Sequence, residues 1–240
     1  MQALSGERLL AAWDRAQGEH ALLRPVTLLA AAMPECHRAQ LLDMPITERD
    51  RLLLQLRELS FGPVMDGFAI CMHCGSAMEF SISVATALGS LDEKHMPTSI
   101  DWMEGGEPLH LRTATTADLL ASVQMPTAAL AEERLLSRCL GLDDVSADAA
   151  KYFQRSAMHE HFEQLHAASE LRCALACPQC AHEETWDLDV AHFVCLDARH
   201  AAHQLLEDVH ALALHYGWSE AAIAGMSPRR RNAYLELLSI

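Results

Sequence analysis

Two Cys-x-x-Cys pairs, Cys71-Met72-His73-Cys74 and Cys177-Pro178-Gln179-Cys180, constrain this chain more than any other feature, because 102 residues separate them. A short turn carrying two cysteines presents both thiolates to one ion, and two such turns complete a tetrahedral shell. The expectation is therefore a single structural zinc ion held by Cys71, Cys74, Cys177 and Cys180, joining the two halves of the chain. Widening a gap of about 20 residues to this length adds only about 1.4 kcal/mol of closure entropy. Zinc binding to such sites is worth roughly 10–16 kcal/mol, so the separation does not decide the matter. Four thiolates also leave no coordination position for water or substrate, which argues for structure over catalysis.

A redox reading competes, because paired cysteines also serve thiol exchange. Redox pairs sit at helix N-termini, where the dipole lowers a thiol pKa, whereas both pairs here precede strand-like segments. A thiol oxidoreductase also needs one pair, not two. His73 and Cys173 lie close enough in sequence to substitute for a ligand, and His182 follows the second pair. Cys36, Cys139 and Cys195 read as buried thiols. A chain of this size needs no disulfide framework.

Half of the 240 residues are apolar, enough for a sizeable core. Against 33 acidic side chains stand 18 basic ones, a formal charge of −15. That balance argues against a broad electrostatic grip on nucleic acid or on an anionic membrane. The first residues form no basic-then-apolar leader, and no apolar run reaches the ~18 residues of a membrane span. The expected compartment is the cytoplasm.

Pattern divides the chain into a helical N-terminal segment (1–62), a first knuckle with strands (68–114), a helical insertion (115–169), a second knuckle with strands (170–188) and C-terminal helices (189–240), all within one domain spanning 1–240. Ser5 is placed to cap a helix from Glu7 to Ala16. Thr47 is placed to cap another whose face is Leu52, Leu53, Leu56 and Leu59. Residues 79–84 and 109–112 alternate like strands, and 86–107, with Gly89, Pro97, Gly105, Gly106 and Pro108, reads as an exposed connection. Helices are predicted over Thr116–Ser122, Pro126–Leu140 and Ser146–Ala168. Strands are predicted over Leu171–Leu175 and Glu183–Leu188, repeating the turn-and-strand order of the first knuckle. The longest helix is predicted from Asp189 to Tyr216, ended by Gly217, since Val194, Ala198, Ala201, Leu205, Val209, Leu212 and Tyr216 recur at three and four. Ser219, with a Trp218–Ile223 staple, and Ser227, with Pro228 at the first position, then cap two small helices.

The remaining chemistry is sparse. The histidines at 159, 161, 166, 200 and 203 read as surface residues. There is no HExxH, GxSxG, phosphate-cradling glycine loop or GxGxxG, so the expectation is a noncatalytic protein without a small-molecule substrate. Arg229, Arg230 and Arg231 fall in the first turn of the last helix, where cations are disfavoured by about 0.3–1 kcal/mol each. Either Glu207, Asp208 or Glu220 pairs with them, or they grip a partner.

Read together, Cys177-Pro178-Gln179-Cys180, Leu206-Glu207-Asp208-Val209-His210, Tyr216-Gly217-Trp218-Ser219-Glu220 and the tract Ser227 to Leu235 resemble the T4-type phage baseplate hub and hub-assembly proteins. That family also occurs in gene clusters for contractile injection systems. Arg49-Asp50-Arg51 with Leu53-Leu54, Arg57-Glu58, Phe61-Gly62, Leu111-Arg112 and Ala117-Asp118-Leu119 extend the likeness. The first knuckle departs from it, reading Cys-Met-His-Cys where the family often has proline, and residues 143–170 follow no family pattern. The resemblance implies a component or assembly factor of a contractile tail baseplate, with other baseplate or tail proteins as partners and Arg229, Arg230, Arg231 and Tyr234 as the leading contact residues. A zinc-ribbon adaptor associated with nucleic acid is the alternative. The expected fold is α+β and mostly helical, a split zinc-ribbon-like antiparallel element tying together helical segments.

Overall fold

A computed structural model describes residues 1–93, 98–104, 106–142, 156–167 and 171–238. In chain order the first half runs α1 (Gly6–Gln17), a single 3-10 turn, α2 (Arg24–Ala32), α3 (Arg38–Leu42), α4 (Ile46–Phe61), β1 (Val64–Ile70), β2 (Ala77–Ser83), α5 (Val84–Glu93), β3 (Ser99–Glu104) and β4 (Glu107–Arg112). The second half runs α6 (Thr116–Ser122), α7 (Ala128–Cys139), α8 (Ser156–Ala167), β5 (Leu171–Ala176), β6 (Glu183–Leu188), α9 (Val190–Tyr216), α10 (Glu220–Ala224) and α11 (Pro228–Leu238). The fold is mixed α+β and mostly helical, with small two-stranded antiparallel sheets.

The largest core forms where α9 lies against α1, α2 and α4. Its buried stripe is Val190, Val194, Ala198, Ala202, Leu205, Val209 and Leu212, a spacing of three and four that keeps one face inward. Alanines at 198 and 202 let the neighbouring helices approach closely. Leu28, Leu29, Leu41, Leu53, Leu54, Leu56 and Leu212 are fully buried, each contributing about 2 kcal/mol by leaving water. The helix begins where Asp189 Oδ1 accepts the His192 N–H at 2.9 Å. It ends at Gly217, whose φ of +67° is left-handed and whose N–H donates to the Ala213 carbonyl at 2.8 Å.

Helix α4 departs from its expected form. Pro45, not Thr47, is the residue before the helix. No side-chain cap is needed, because the Ile46 N–H donates to the Ala114 carbonyl at 3.0 Å. The buried face is Leu53, Leu54 and Leu56 with Arg49, Asp50 and Arg57, while Leu59 is 52% exposed. Both arginines are satisfied internally. Arg49 pairs with Asp50 at 2.7 Å and donates to Thr116 Oγ1 at 3.1 Å, and Arg57 pairs with Asp197 of α9 at 2.9 Å and donates to the Gly62 carbonyl. Ser5 precedes α1 as expected but makes no side-chain cap.

The described part of residues 86–107 is not the exposed connection expected of it. Helix α5 buries Val84 and Ala87 against the helical core, with Leu88 and Leu91 half-buried beside it, and β3 pairs with β4 from Ser99↔Arg112 to Glu104↔Glu107. Residues 94–97 and 105 lie outside the described residues. So do 143–155 and 168–170, which removes from view the start of the helix expected from Ser146; its seen part is α8. A second apolar cluster joins β4 to the insertion: Leu111, Ala114, Cys139, Met158 and Leu165, with Ile46, Trp102 and Phe162 packed against it. Three of the histidines read as surface residues are tied into this region: His161 tilts on Trp102 at 4.7 Å, His166 stacks on Phe162 at 4.1 Å, and His159 lies 3.6 Å from Glu132.

Candidate metal centre

Each cysteine pair sits at the tip of a β-hairpin. Strand β1 pairs with β2 up to Ile70↔Ala77, and β5 with β6 up to Ala176↔Glu183, so the connecting loops, 71–76 and 177–182, have the same length. Their hydrogen bonds also repeat. Cys71 N–H donates to the Ser76 carbonyl at 2.9 Å and Gly75 N–H to the Cys71 carbonyl at 2.8 Å. Cys177 N–H donates to the His182 carbonyl at 2.8 Å and Ala181 N–H to the Cys177 carbonyl at 2.9 Å. Gly75 and Ala181 hold the same left-handed position, with φ of +73° and +56°. Glycine takes this conformation without strain and alanine does not.

Strand β1, which leads into the first knuckle, lies outside the strand-like stretches of the sequence pattern. Asp66 and Gly67 are poor strand formers, and the reason for Gly67 is nonlocal. The Phe80 ring lies across it, so close that a Cβ at residue 67 would fall 2.2 Å from the ring.

The hairpins bring the four sulfurs together. Cys71 Sγ lies 3.8 Å from Cys180 Sγ, Cys74 Sγ lies 3.6 Å from Cys177 Sγ, and all four fall within 4.8 Å of one another. A tetrahedron with metal–sulfur bonds of about 2.3 Å has edges of about 3.8 Å, so this spacing suits four ligands around one ion. It is far beyond the ~2.05 Å of a disulfide bond. The first cysteine of each pair is buried and the second exposed. Beneath them lies a small apolar layer of Ala69 and Met78 with Phe80, Leu175 and Trp186.

The two residues considered as substitute ligands lie elsewhere. His73 stacks on His182 with ring centroids 5.3 Å apart, and Cys173 sits half-buried on β5, opposite Trp186. Neither belongs to the four-sulfur group.

The thiols differ in acidity. The Ser76 side chain and backbone, with the Cys180 and Cys177 sulfurs, bring Cys74 down to about 6. At Cys180 a hydrogen bond from the His182 backbone favours the thiolate, but desolvation and the sulfurs of Cys74, Cys177 and Cys71 outweigh it and push this thiol up to about 12. A cation arriving at neutral pH thus meets one thiolate already formed and must displace protons from other thiols, which makes uptake weaker in acid. Ser76 and His182, each two residues after an exposed cysteine, could have been suspected from that place.

The other expected contact residues gather at the C-terminal helices. Arg231 is not free for a partner: its Nε lies 2.7 Å from Asp208 Oδ2, with the two side chains only 11% and 8% exposed. Arg230 lies over the Tyr234 ring at 5.9 Å. Tyr234 meets Trp218 edge-on at 4.9 Å, and Trp218 stacks on Tyr216 at 4.5 Å. Ser219 accepts the Ala222 N–H and Ser227 the Arg230 N–H, both at 3.3 Å, the capping expected of them.

Comparison with protein-family models, curated proteins and solved structures finds no match to this chain. Among the described residues no helix is long and apolar enough to cross a membrane.

Proposed function

We propose that this protein is a noncatalytic component or assembly factor of a contractile tail baseplate, acting through protein contacts, with one structural zinc ion on Cys71, Cys74, Cys177 and Cys180. Zinc is the metal of choice for a closed four-thiolate tetrahedron in a site with no role for redox change. The observation that carries the reading is the way the sequence tracts resembling baseplate proteins meet at the C-terminal helices. Asp208 from one tract holds Arg231 from another, and Tyr216 and Trp218 from a third pack against Tyr234. Beside them Leu214, Tyr216 and Leu237 are exposed, Leu214 by 73%, which leaves apolar area for a partner.

Arg231 is spoken for, so the docking role falls to Arg229, Arg230 and Tyr234. The test is a double charge reversal, Arg229→Glu with Arg230→Glu, scored for assembled particles and for co-purification with neighbouring tail proteins. Loss of both, with helical content and metal content unchanged, is the expected result. Intact assembly would refute the docking role. Elemental analysis of unchelated protein is expected to find about one zinc per chain.

A further inference from the structure

A second surface lies apart from the C-terminal helices. The two hairpins converge at their cysteine tips and part toward α9, opening a cleft of about 710 Å³. Its apolar lining includes Phe68, Phe80, Trp186, Phe193 and Leu196. Phe68 is 63% exposed and lies on the outward face of β1, which also exposes Val64 and Ile70 at alternate positions. A row of large apolar side chains on an exposed strand is unusual on a surface with no partner.

The rim is predominantly acidic. Asp66, Glu79, Asp187, Asp189 and Asp197 line the cleft together with two histidines, His192 and His200, and among the described residues no lysine or arginine does. Arg172 pairs with Asp187 and Arg57 with Asp197 from outside it. Asp66 accepts only a neutral hydroxyl, that of Ser81, at 2.5 Å, and Asp189 caps α9. Asp66 and Glu79 lie on the same face of the hairpin as Phe68, and among the described residues neither they nor Asp189 form an ion pair. One indole donor beneath it, Trp186 Nε1, is buried without a hydrogen-bond partner.

We infer that this cleft binds a cationic peptide segment of a partner protein, one that places a large apolar side chain between the hairpins and arginine or lysine against Asp66 and Glu79. Charge complementarity selects the occupant. A second copy of a chain carrying −15 would bring like charge to the cleft, and nucleic acid would bring phosphate to a carboxylate rim. An apolar anchor supplies affinity, and the rim supplies orientation and selectivity. The inference does not depend on the baseplate reading, because it rests on the cleft alone.

The full metal-loaded chain can be tested on an immobilised array of hexapeptides combining arginine, aspartate, leucine, phenylalanine and glycine. Peptides with arginine flanking leucine or phenylalanine are expected to be retained, and their aspartate and glycine counterparts lost. Phe68→Ser and the pair Asp66→Asn, Glu79→Gln all lie at exposed positions, so folding is expected to survive, checked by metal content and circular dichroism. Each variant is expected to weaken the retained peptides by about tenfold. No preference for arginine with an apolar residue, a preference for aspartate, or an unchanged pattern in both variants would each overturn the inference. So would a concentration-dependent dimer abolished by Phe68→Ser, which would give the cleft to a second copy.

Discussion

Gly75 and Ala181 occupy the same left-handed position in two otherwise matching loops, and only one of them is the residue that position favours. A Cβ at Gly75 would meet nothing within 4 Å, so the cost of alanine there is conformational alone. Gly75→Ala is expected to destabilise by about 1 kcal/mol, and Ala181→Gly to stabilise by somewhat less, since glycine also loosens the unfolded chain. Thermal denaturation of the metal-loaded protein measures both, and equal shifts of the same sign would contradict the repeat. Asp118 is the second residue of interest. Its side chain is wholly buried and accepts from Arg112, Arg138 and the backbone and hydroxyl of Thr115. Burial alone would raise its pKa, but the Arg112 and Thr115 hydrogen bonds outweigh it and hold the group down at about 2. A folded-state pKa below the unfolded value contributes stability above pH ~4 that is lost as pH falls toward ~2, on the order of 2 kcal/mol. Denaturant titrations from pH 5 to 2 should show that loss, and Asp118→Asn should flatten it.

Helix α5 shows how an element can be hidden by one residue. Gly89 lowers helix propensity in a segment whose Val84, Ala87, Leu88 and Leu91 nonetheless form a helical face. Nothing lies within 4 Å of the place a Gly89 Cβ would take. Gly89→Ala is therefore expected to stabilise the protein by about 0.5–1 kcal/mol, measured as a higher denaturation midpoint; a lower one would place a contact where the structure has space. The last helix poses the reverse problem. Three arginines in its first turn oppose the helix dipole, and Asp208, two turns before the end of α9, offsets the cost at Arg231. Asp208 is one of three carboxylates, with Glu207 and Glu220, that the sequence offers as partners, and only the packing of the two helices selects it.

Across the whole molecule, a metal ion on the four cysteines would share with the helical core the task of joining the chain's halves. Helices α4 and α9 already pack together and are pinned by Arg57 and Asp197. The hairpins hang from them, β1 following α4 and β6 preceding α9. The loop that a metal must close is thus far shorter than 102 residues suggests, and its energy goes chiefly into ordering the hairpins. Chelation, or Cys177→Ser, is expected to raise amide exchange strongly in residues 64–83 and 171–188 while leaving the centre of α9 protected. Uniform loss of protection would mean that the helical core depends on the metal as well.

Local pattern was enough for the four cysteines, the turns that carry them, the strands after them, and the extent of α9, because each is set by residues a few positions apart: a CxxC turn, period two, period three to four, a terminating glycine. It was also enough to bracket α1 and the last two helices. What tertiary structure alone decided is everything that depends on a neighbour distant in sequence. Gly67 is tolerated in a strand because Phe80 covers it; Ile46 starts a helix uncapped because Ala114 receives its N–H; Arg49 and Arg57 turn inward because Thr116 and Asp197 are there to meet them. Burial and hydrogen-bond satisfaction are properties of the assembled fold, and a one-dimensional pattern carries them only where the partners happen to be close in sequence.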